Sequence, residues 1–303
     1  MIVAAIDIGS NAVRLQIARL NFNNTEEHIK KIEFVRVPLR LGDDAFKQKK
    51  ISKEKKHLFY NTMRAYKLLM DAFGVEHYIA CATSAMREAE NGKKITQKIE
   101  EEIGLKINII NGKKESAIIL KSIEHYFQTK NNYLTIDVGG GSTEMTLVCD
   151  GNILSSVSFN IGTVRLRDGE VTEQTWQTIE EWVVKQTTGI KNLEAVVTSG
   201  TISKISNIIN KGGYEGYFTR DELKTFHRKV LKMAIPERID KLKLNPDRAD
   251  IIDVSADIYL RILNWANISK VYSPANAGLK DGILHLLYEK FKPSPQNASP
   301  IVK

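Results

Sequence analysis

Two short segments carry residue types suited to holding an anion. Between Leu134 and Glu144 the chain reads LTIDVGGGSTE, and between Ala4 and Asn11 it reads AAIDIGSN. In each, an apolar strand delivers an aspartate, and glycines with hydroxyl or amide residues follow. Glycine lets backbone N–H groups crowd together, and successive N–H groups form a concavity that favours a negatively charged guest. Gly9, Ser10 and Asn11 in the first segment, and Gly139, Gly140, Gly141, Ser142 and Thr143 in the second, are therefore the candidate phosphate-binding residues. Neither segment is a P-loop, which needs a Gly-Lys-Ser/Thr ending and a helix directly after the turn. Asp7 and Asp137 close apolar strands, where a carboxylate is costly unless something uses it.

The elements that must position these loops follow from periodicity. Val3 to Ile6 reads as a buried strand, and Val13, Leu15, Ile17 and Leu20 alternate beyond the loop, so the first loop joins antiparallel strands. A third strand covers roughly 29–37, and a long helix follows Ser52 and stops at Gly74. A strand at 77–82, a helix through Ile95, Ile99 and Ile103, a strand at 107–110 and a helix over about 113–127 complete the first half. The second half repeats the order: strand to Asp137, loop, strands at 143–149 and 153–159, helix at 172–186, strand at 195–198, then helices opened by Ser199 and Thr219. A long helix over 247–266, a strand at 270–272 and a helix from Gly278 to about 290 follow. Asp7 then corresponds to Asp137, Thr83 to Ser199 and Gly112 to Gly278. This is a structural duplication, an α/β fold of two mixed-sheet domains whose glycine loops face one cleft.

Bulk properties narrow the partners. The net charge of +8 favours polyanions, and the run Lys47, Lys49, Lys50, Lys53, Lys55, Lys56 reads either as a solvated helix start or as a fringe that steers anions toward the cleft. Cys81 and Cys149 lack metal-ligand spacing and read as free thiols packed in strands. No apolar run is long enough to span a bilayer and the N-terminus lacks a signal peptide, so a cytoplasmic protein without a membrane partner is expected. Nucleic acid is disfavoured, because no reading module is present.

The segments IDIGSN, ATSAMREAEN, NGKKES, IDVGGGSTE and IGTVRL, in this order, resemble the exopolyphosphatase / guanosine pentaphosphate phosphohydrolase family of the actin, sugar-kinase and heat-shock chaperone superfamily. The resemblance implies two ribonuclease H-like domains with the site between them, in the short two-domain form. The expected boundaries are 1–117 and 118–287, with a helix near 288–298 packing back on the first domain and a loose tail over 291–303. It further implies Mg²⁺-assisted removal of terminal phosphate from polyphosphate or guanosine pentaphosphate, with guanosine tetraphosphate a related ligand. A homodimer is compatible with this reading.

Carried over by position, Glu115 is the general base, Asp137 and Asp7 are metal-holding carboxylates, and Glu144 positions water or metal. Arg14 and Arg87 are the stronger phosphate-binding arginines. Arg165 serves the phosphate chain or pairs across the domains, and Arg248 reads more simply as a first-turn salt bridge. Gly200 and Thr201 stand where related kinases place a nucleotide base. The chain departs from the family at Asn111, Lys113 and Lys114, and at Ala12. The two lysines are expected to contact phosphate and to lower the pKa of Glu115, weakening it as a base. That departure motivates a second reading, a weakly catalytic or non-catalytic sensor of the alarmone nucleotide or of polyphosphate. A superfamily kinase is disfavoured, because the large sugar-site insertions are lacking.

Overall fold

The strand β1 (Ile2–Ile8) is buried at every residue but its first, as an apolar run with helices on both faces requires. It lies at the centre of a five-stranded sheet with order β3 (Ile29–Val37), β2 (Val13–Leu20), β1, β4 (His77–Ala82), β5 (Asn108–Ile109). β2 runs antiparallel to both of its neighbours, β1 and β3, and β4 and β5 run parallel to β1. The computed structural model describes residues 1–23, 27–127, 131–211 and 216–293.

The second sheet has the order β10 (Tyr217–Thr219), β11 (Lys270–Tyr272), β9 (Leu193–Thr198), β6 (Asn132–Val138), β7 (Thr143–Cys149), β8 (Asn152–Phe159). Its β8-β7-β6-β9-β11 portion repeats the first sheet in order and direction. The short antiparallel edge strand β10 is an addition that the sequence pattern does not announce. Two mixed-sheet domains flanked by helices are thus present, as the duplicated pattern implies.

The first half carries α1 (Leu41–Gln48), α2 (Lys53–Ala72), α3 (Ser84–Glu88), α4 (Gly92–Ile103) and α5 (Gly112–Ile123). The second carries α6 (Thr163–Arg167), α7 (Glu173–Thr187), α8 (Gly200–Ile209), α9 (Arg220–Leu231), α10 (Ile235–Leu242), α11 (Pro246–Ala249), α12 (Ile252–Trp265) and α13 (Leu279–Phe291). Side-chain caps at Ser52, Thr172 and Ser199, and the capping box of Thr219 with Glu222, start the longer helices where the sequence places them. The single helix expected over 247–266 is broken into α11 and α12. The short α1, α3, α6 and α10 are new, since so few turns leave no readable period.

Two helices tie the halves together. On one side α5 sends Ile118 and Ile119 into a cluster with Val3 and Ala5 of the first sheet and Ile283, Leu284 and Leu287 of α13. On its other side Leu120 and Ile123 pack with Tyr133, Val148 and Val196 of the second sheet. The crossing of α5 and α13 is so close that a Cβ on Gly282 would lie 1.9 Å from the Ile118 carbonyl oxygen. The expected boundaries at 117 and 287 fall inside these two helices. The helix expected near 288–298 is the end of α13, and most of the expected tail lies outside the described residues. No helix among the described residues is long and apolar enough to cross a membrane, and both cysteines are free.

Candidate active site

The two loops are built alike. Gly9 N–H donates to the Ala12 carbonyl at 3.2 Å, and Gly139 N–H to the Ser142 carbonyl at 2.9 Å, closing the same tight turn twice. The loop carbonyls are taken up by the scaffold: Ser10 O by Gly42 N (2.8 Å), Asn11 O by Arg40 N (2.9 Å), Gly139 O by Thr163 N (3.0 Å) and Gly140 O by Val164 N (2.8 Å). The N–H groups of Ser10, Asn11, Gly140 and Ser142 have no backbone acceptor among the described residues, which is what an anion site requires. The loops also touch. A Cβ on Gly140 would lie 2.9 Å from Ser10 Cβ, and one on Gly141 would lie 2.1 Å from the Phe46 ring and 2.5 Å from Ser84 Oγ.

Four carboxylates gather beside the loops. Asp7 is ion-paired with Arg14 at 2.7 Å. Asp137 accepts a hydrogen bond from Thr198 Oγ1; burial pushes its pKa up to about 6, and the charge of Asp7 adds to the rise. Glu144 accepts from Ser158 Oγ at 2.7 Å. Burial first and the charge of Asp137 second push its pKa up to about 7. Glu115, in the first turn of α5, is only 7% exposed. Burial and then Glu144, Asp137 and Asp7 push its carboxyl well above the usual range, against Arg87 at 3.9 Å. One oxygen each of Glu115 and Glu144 lies buried with no hydrogen-bond partner among the described residues.

The expectation that Lys113 and Lys114 depress Glu115 is overturned. Both lysines are exposed, and residues one or two apart on a helix do not face each other. Asn111, where the family has serine, keeps the capping function by accepting from Lys114 N–H at 2.9 Å.

A cavity of about 200 Å³ lies between the domains. Asp7, Glu115 and Asp137 line it, with Gly9, Ser10, Asn11, Gly139, Gly140, Ser142 and Arg14. Four of the sequence-predicted residues do not line it. Gly141 is pressed between Phe46 and Ser84. The Thr143 side chain is fully buried and its hydroxyl donates to the Ile161 carbonyl at 2.7 Å, so it is not free to bind phosphate as the sequence suggested. Arg87 stands behind Glu115 and donates to the Ile110 carbonyl at 2.8 Å. Glu144 borders a separate cavity of about 10 Å³ with Asp137, Thr198 and Ser116.

Other arginines divide between structure and site. Arg165 donates to the Gly141 carbonyl at 2.6 Å, pairs with Glu88 of the first domain and stacks 3.8 Å above Phe46, so it braces the second loop. Arg248 does not make the salt bridge that its sequence setting suggests. Its neighbour Asp247 is taken by Arg36 and by Asn11 Nδ2, and Arg248 lines the cavity. Burial, then Arg36 and Arg14, lower its pKa to about 10. Arg36 also lines the cavity and was not identifiable from sequence; its one signal is the β2–β3 register, which sets it opposite Arg14.

The donors fit a hard cation only in part. All are oxygens, and unpartnered buried carboxylate oxygens are present. Among the described residues, no three His, Cys, Asp or Glu side chains form a ready ligand cluster. Mg²⁺ needs none, since it is commonly held by one or two carboxylates, waters and substrate phosphates.

The chain and its fold have counterparts among known proteins. A model of the Ppx/GppA phosphatase family matches residues 22–291. A bifunctional 3-dehydroquinate synthase/phosphatase of Fusobacterium nucleatum is 35% identical over 170 residues, covering 54% of this chain and 26% of that protein. A guanosine-5'-triphosphate,3'-diphosphate pyrophosphatase of Photobacterium profundum is 23% identical over 301 residues, covering 95% of this chain and 60% of that protein. The chain therefore spans less than two thirds of either relative. Among solved structures, an exopolyphosphatase of Cytophaga hutchinsonii matches with a TM-score of 0.83 at 19% identity, covering 96% of this chain and 98% of that one.

Proposed function

Because this chain belongs to the Ppx/GppA phosphatase family, we propose that its cleft hydrolyses a terminal phosphoanhydride bond, releasing phosphate from a nucleoside polyphosphate or from inorganic polyphosphate. The observation that carries the reading is the pair of aspartate-led loops facing one cavity in which Glu115 is buried. The unpaired N–H groups of both loops take the oxygens of the reacting phosphoryl group. Arg14 and Arg248 take the charge of the phosphates behind it, as guanidinium forks do well. Glu115 accepts the proton of the attacking water, and its raised pKa makes it a stronger base once ionised. The scissile P–O bond breaks toward the leaving phosphate, and one water is consumed per phosphate released.

Asp137 and Asp7, with Glu144 behind them, are the residues that would hold Mg²⁺. When bound, the ion would supply charge neutralisation on phosphate oxygens and would favour the ionised form of the carboxylates. Phosphate release from guanosine pentaphosphate and from inorganic polyphosphate, with Mg²⁺, is the test. Release above the level of a Glu115→Gln variant is expected, and equal background from both proteins would remove the hydrolase reading.

A further inference from the structure

The lysine run between positions 47 and 56 divides in the folded chain. Lys47 pairs with Asp168 at 3.2 Å, and Lys55 with Asp44 at 3.3 Å and Asp43 at 3.5 Å. Lys53 and Lys56 instead line a second cavity, of about 530 Å³, formed by α2 and α4 of the first domain. It shares no lining residue with the cavity between the domains.

Lys53, Lys56, Tyr60 and Arg64 recur at helical spacing, so α2 turns one face to this cavity while Phe59, Met63, Tyr66 and Met70 pack inward. From α4 come Lys98, Glu102 and the buried Ile95 and Ile99. Four cations thus meet one carboxylate. Glu102 is already engaged, held below the usual carboxylate range first by the Tyr60 hydroxyl and then by Lys98, with which it pairs at 3.2 Å. Lys53, Lys56 and Arg64 have no ion-pair partner among the described residues, whereas the other two cations of α2 are paired, Lys55 as above and Lys67 with Asp71. Helix stability does not account for this. Lys53 and Lys56 stand in the first turn of α2, where the helix dipole disfavours a cation, and their like charges on one face repel.

The volume is that of a small organic ligand. Ile95 and Ile99 make part of its wall apolar, and the half-buried Tyr60 ring offers a surface on which a planar group stacks. A bare phosphate chain would use the cations and leave that wall idle. We propose that the cavity between α2 and α4 is a second ligand site, separate from the interdomain cleft, for a phosphorylated compound of nucleoside-diphosphate size. Its planar ring stacks on Tyr60, and its phosphates take Lys53, Lys56 and Arg64. The proposal does not depend on the hydrolase reading.

Calorimetric titration of the full chain with ADP, with GDP and with inorganic pyrophosphate tests it, alongside a Lys56→Glu/Arg64→Glu double variant, Tyr60→Ala, Tyr60→Phe and the cleft variant Arg248→Ala. Binding of ADP or GDP that persists in Arg248→Ala is expected. The double variant and Tyr60→Ala should each weaken it about tenfold or more, and Tyr60→Phe, which keeps the ring, should stay close to the parent. Pyrophosphate should bind about tenfold more weakly than the nucleotides. Any phosphate release from tripolyphosphate should keep its kcat and KM in the double variant, whose exposed substitutions lie outside the cleft. The proposal is overturned if neither nucleotide binds, if binding survives the double variant, or if Arg248→Ala abolishes it. Pyrophosphate binding as tight as the nucleotides, or equal losses in Tyr60→Ala and Tyr60→Phe, would remove the ring from the ligand.

Discussion

Across the β1–β2 ladder Asp7 faces Arg14, whereas across the β6–β7 ladder the equivalent residue Asp137 faces Glu144. Three residues after Gly112 stands Glu115, and three after the corresponding Gly278 stands Asp281. Burial alone would raise the Asp281 carboxyl, but Lys280 and Lys31, each at 2.5 Å, outweigh it and hold the group below its usual range. Glu115 is equally buried but has carboxylates for neighbours, so it moves the other way. The duplication has therefore kept backbone geometry while reversing the electrostatics. Each half contributes to both settings: Asp7 and Asp281 are neutralised by arginine and lysine. Glu115, Asp137 and Glu144 are crowded together across the halves, which prepares them to take up a proton or a cation.

The sharpest way to break this contrast is to remove the two equivalent carboxylates in turn. Glu115→Gln is expected to lower kcat about 1,000-fold, the scale of losing a general base, with no loss of stability because an unpartnered buried acid is replaced. Asp281→Asn is expected to act on the fold instead, costing about 2 kcal/mol in urea unfolding, because it leaves two half-buried lysines short of a partner. Its kcat on inorganic tripolyphosphate stays far above that of Glu115→Gln. Losses of kcat of similar size in both variants would show that the two helix starts are not electrically distinct.

How much of this was legible from sequence depends on the range of the physics involved. The loops were readable because each is a local device: an apolar strand, an aspartate and a glycine turn, repeated. The topology followed from the order of strands and helices. Arg36 was not readable, since an arginine on an alternating edge strand looks solvent-facing until register sets it opposite Arg14. The setting of Arg248 was not readable either, since its sequence neighbour Asp247 is claimed by Arg36 and Asn11, more than 200 residues away. Helix α1 has only eight residues and is located by contacts such as Phe46 beneath Gly141, which no local period encodes. The environment of Glu115 is hidden for the same reason: the lysines adjacent in sequence face water, while the carboxylates that act on it come from distant positions in the chain.

A smaller effect sharpens the contrast from the Glu144 side. Glu144 is the second-domain counterpart of Arg14, and its charge raises the pKa of Glu115. Base catalysis needs Glu115 ionised, so kcat/KM is expected to rise with pH along an acid limb lying above the usual carboxylate range. Replacing Glu144 by Gln removes a negative neighbour, which lowers the Glu115 pKa and moves that limb to lower pH, alongside any loss in kcat. A limb that stays in place would mean that another group governs it. Replacing Arg87 removes the opposing cation and moves the limb upward.

The smallest expected effect concerns Lys113 and Lys114, the residues nearest to Glu115 in sequence. If proximity in the chain governed Glu115, removing two positive charges would raise its pKa and shift the acid limb upward by more than Arg87→Ala does. Both side chains are exposed on the outer surface of α5, while Arg87 stands 3.9 Å from the carboxylate. Charges in water are screened and contribute little to a buried group. Lys113→Ala and Lys114→Ala, alone or together, are therefore expected to move the limb by less than about half a pH unit. A larger upward shift in the pH profile would place the lysine charges inside the carboxylate cluster and end the separation between the two helix starts.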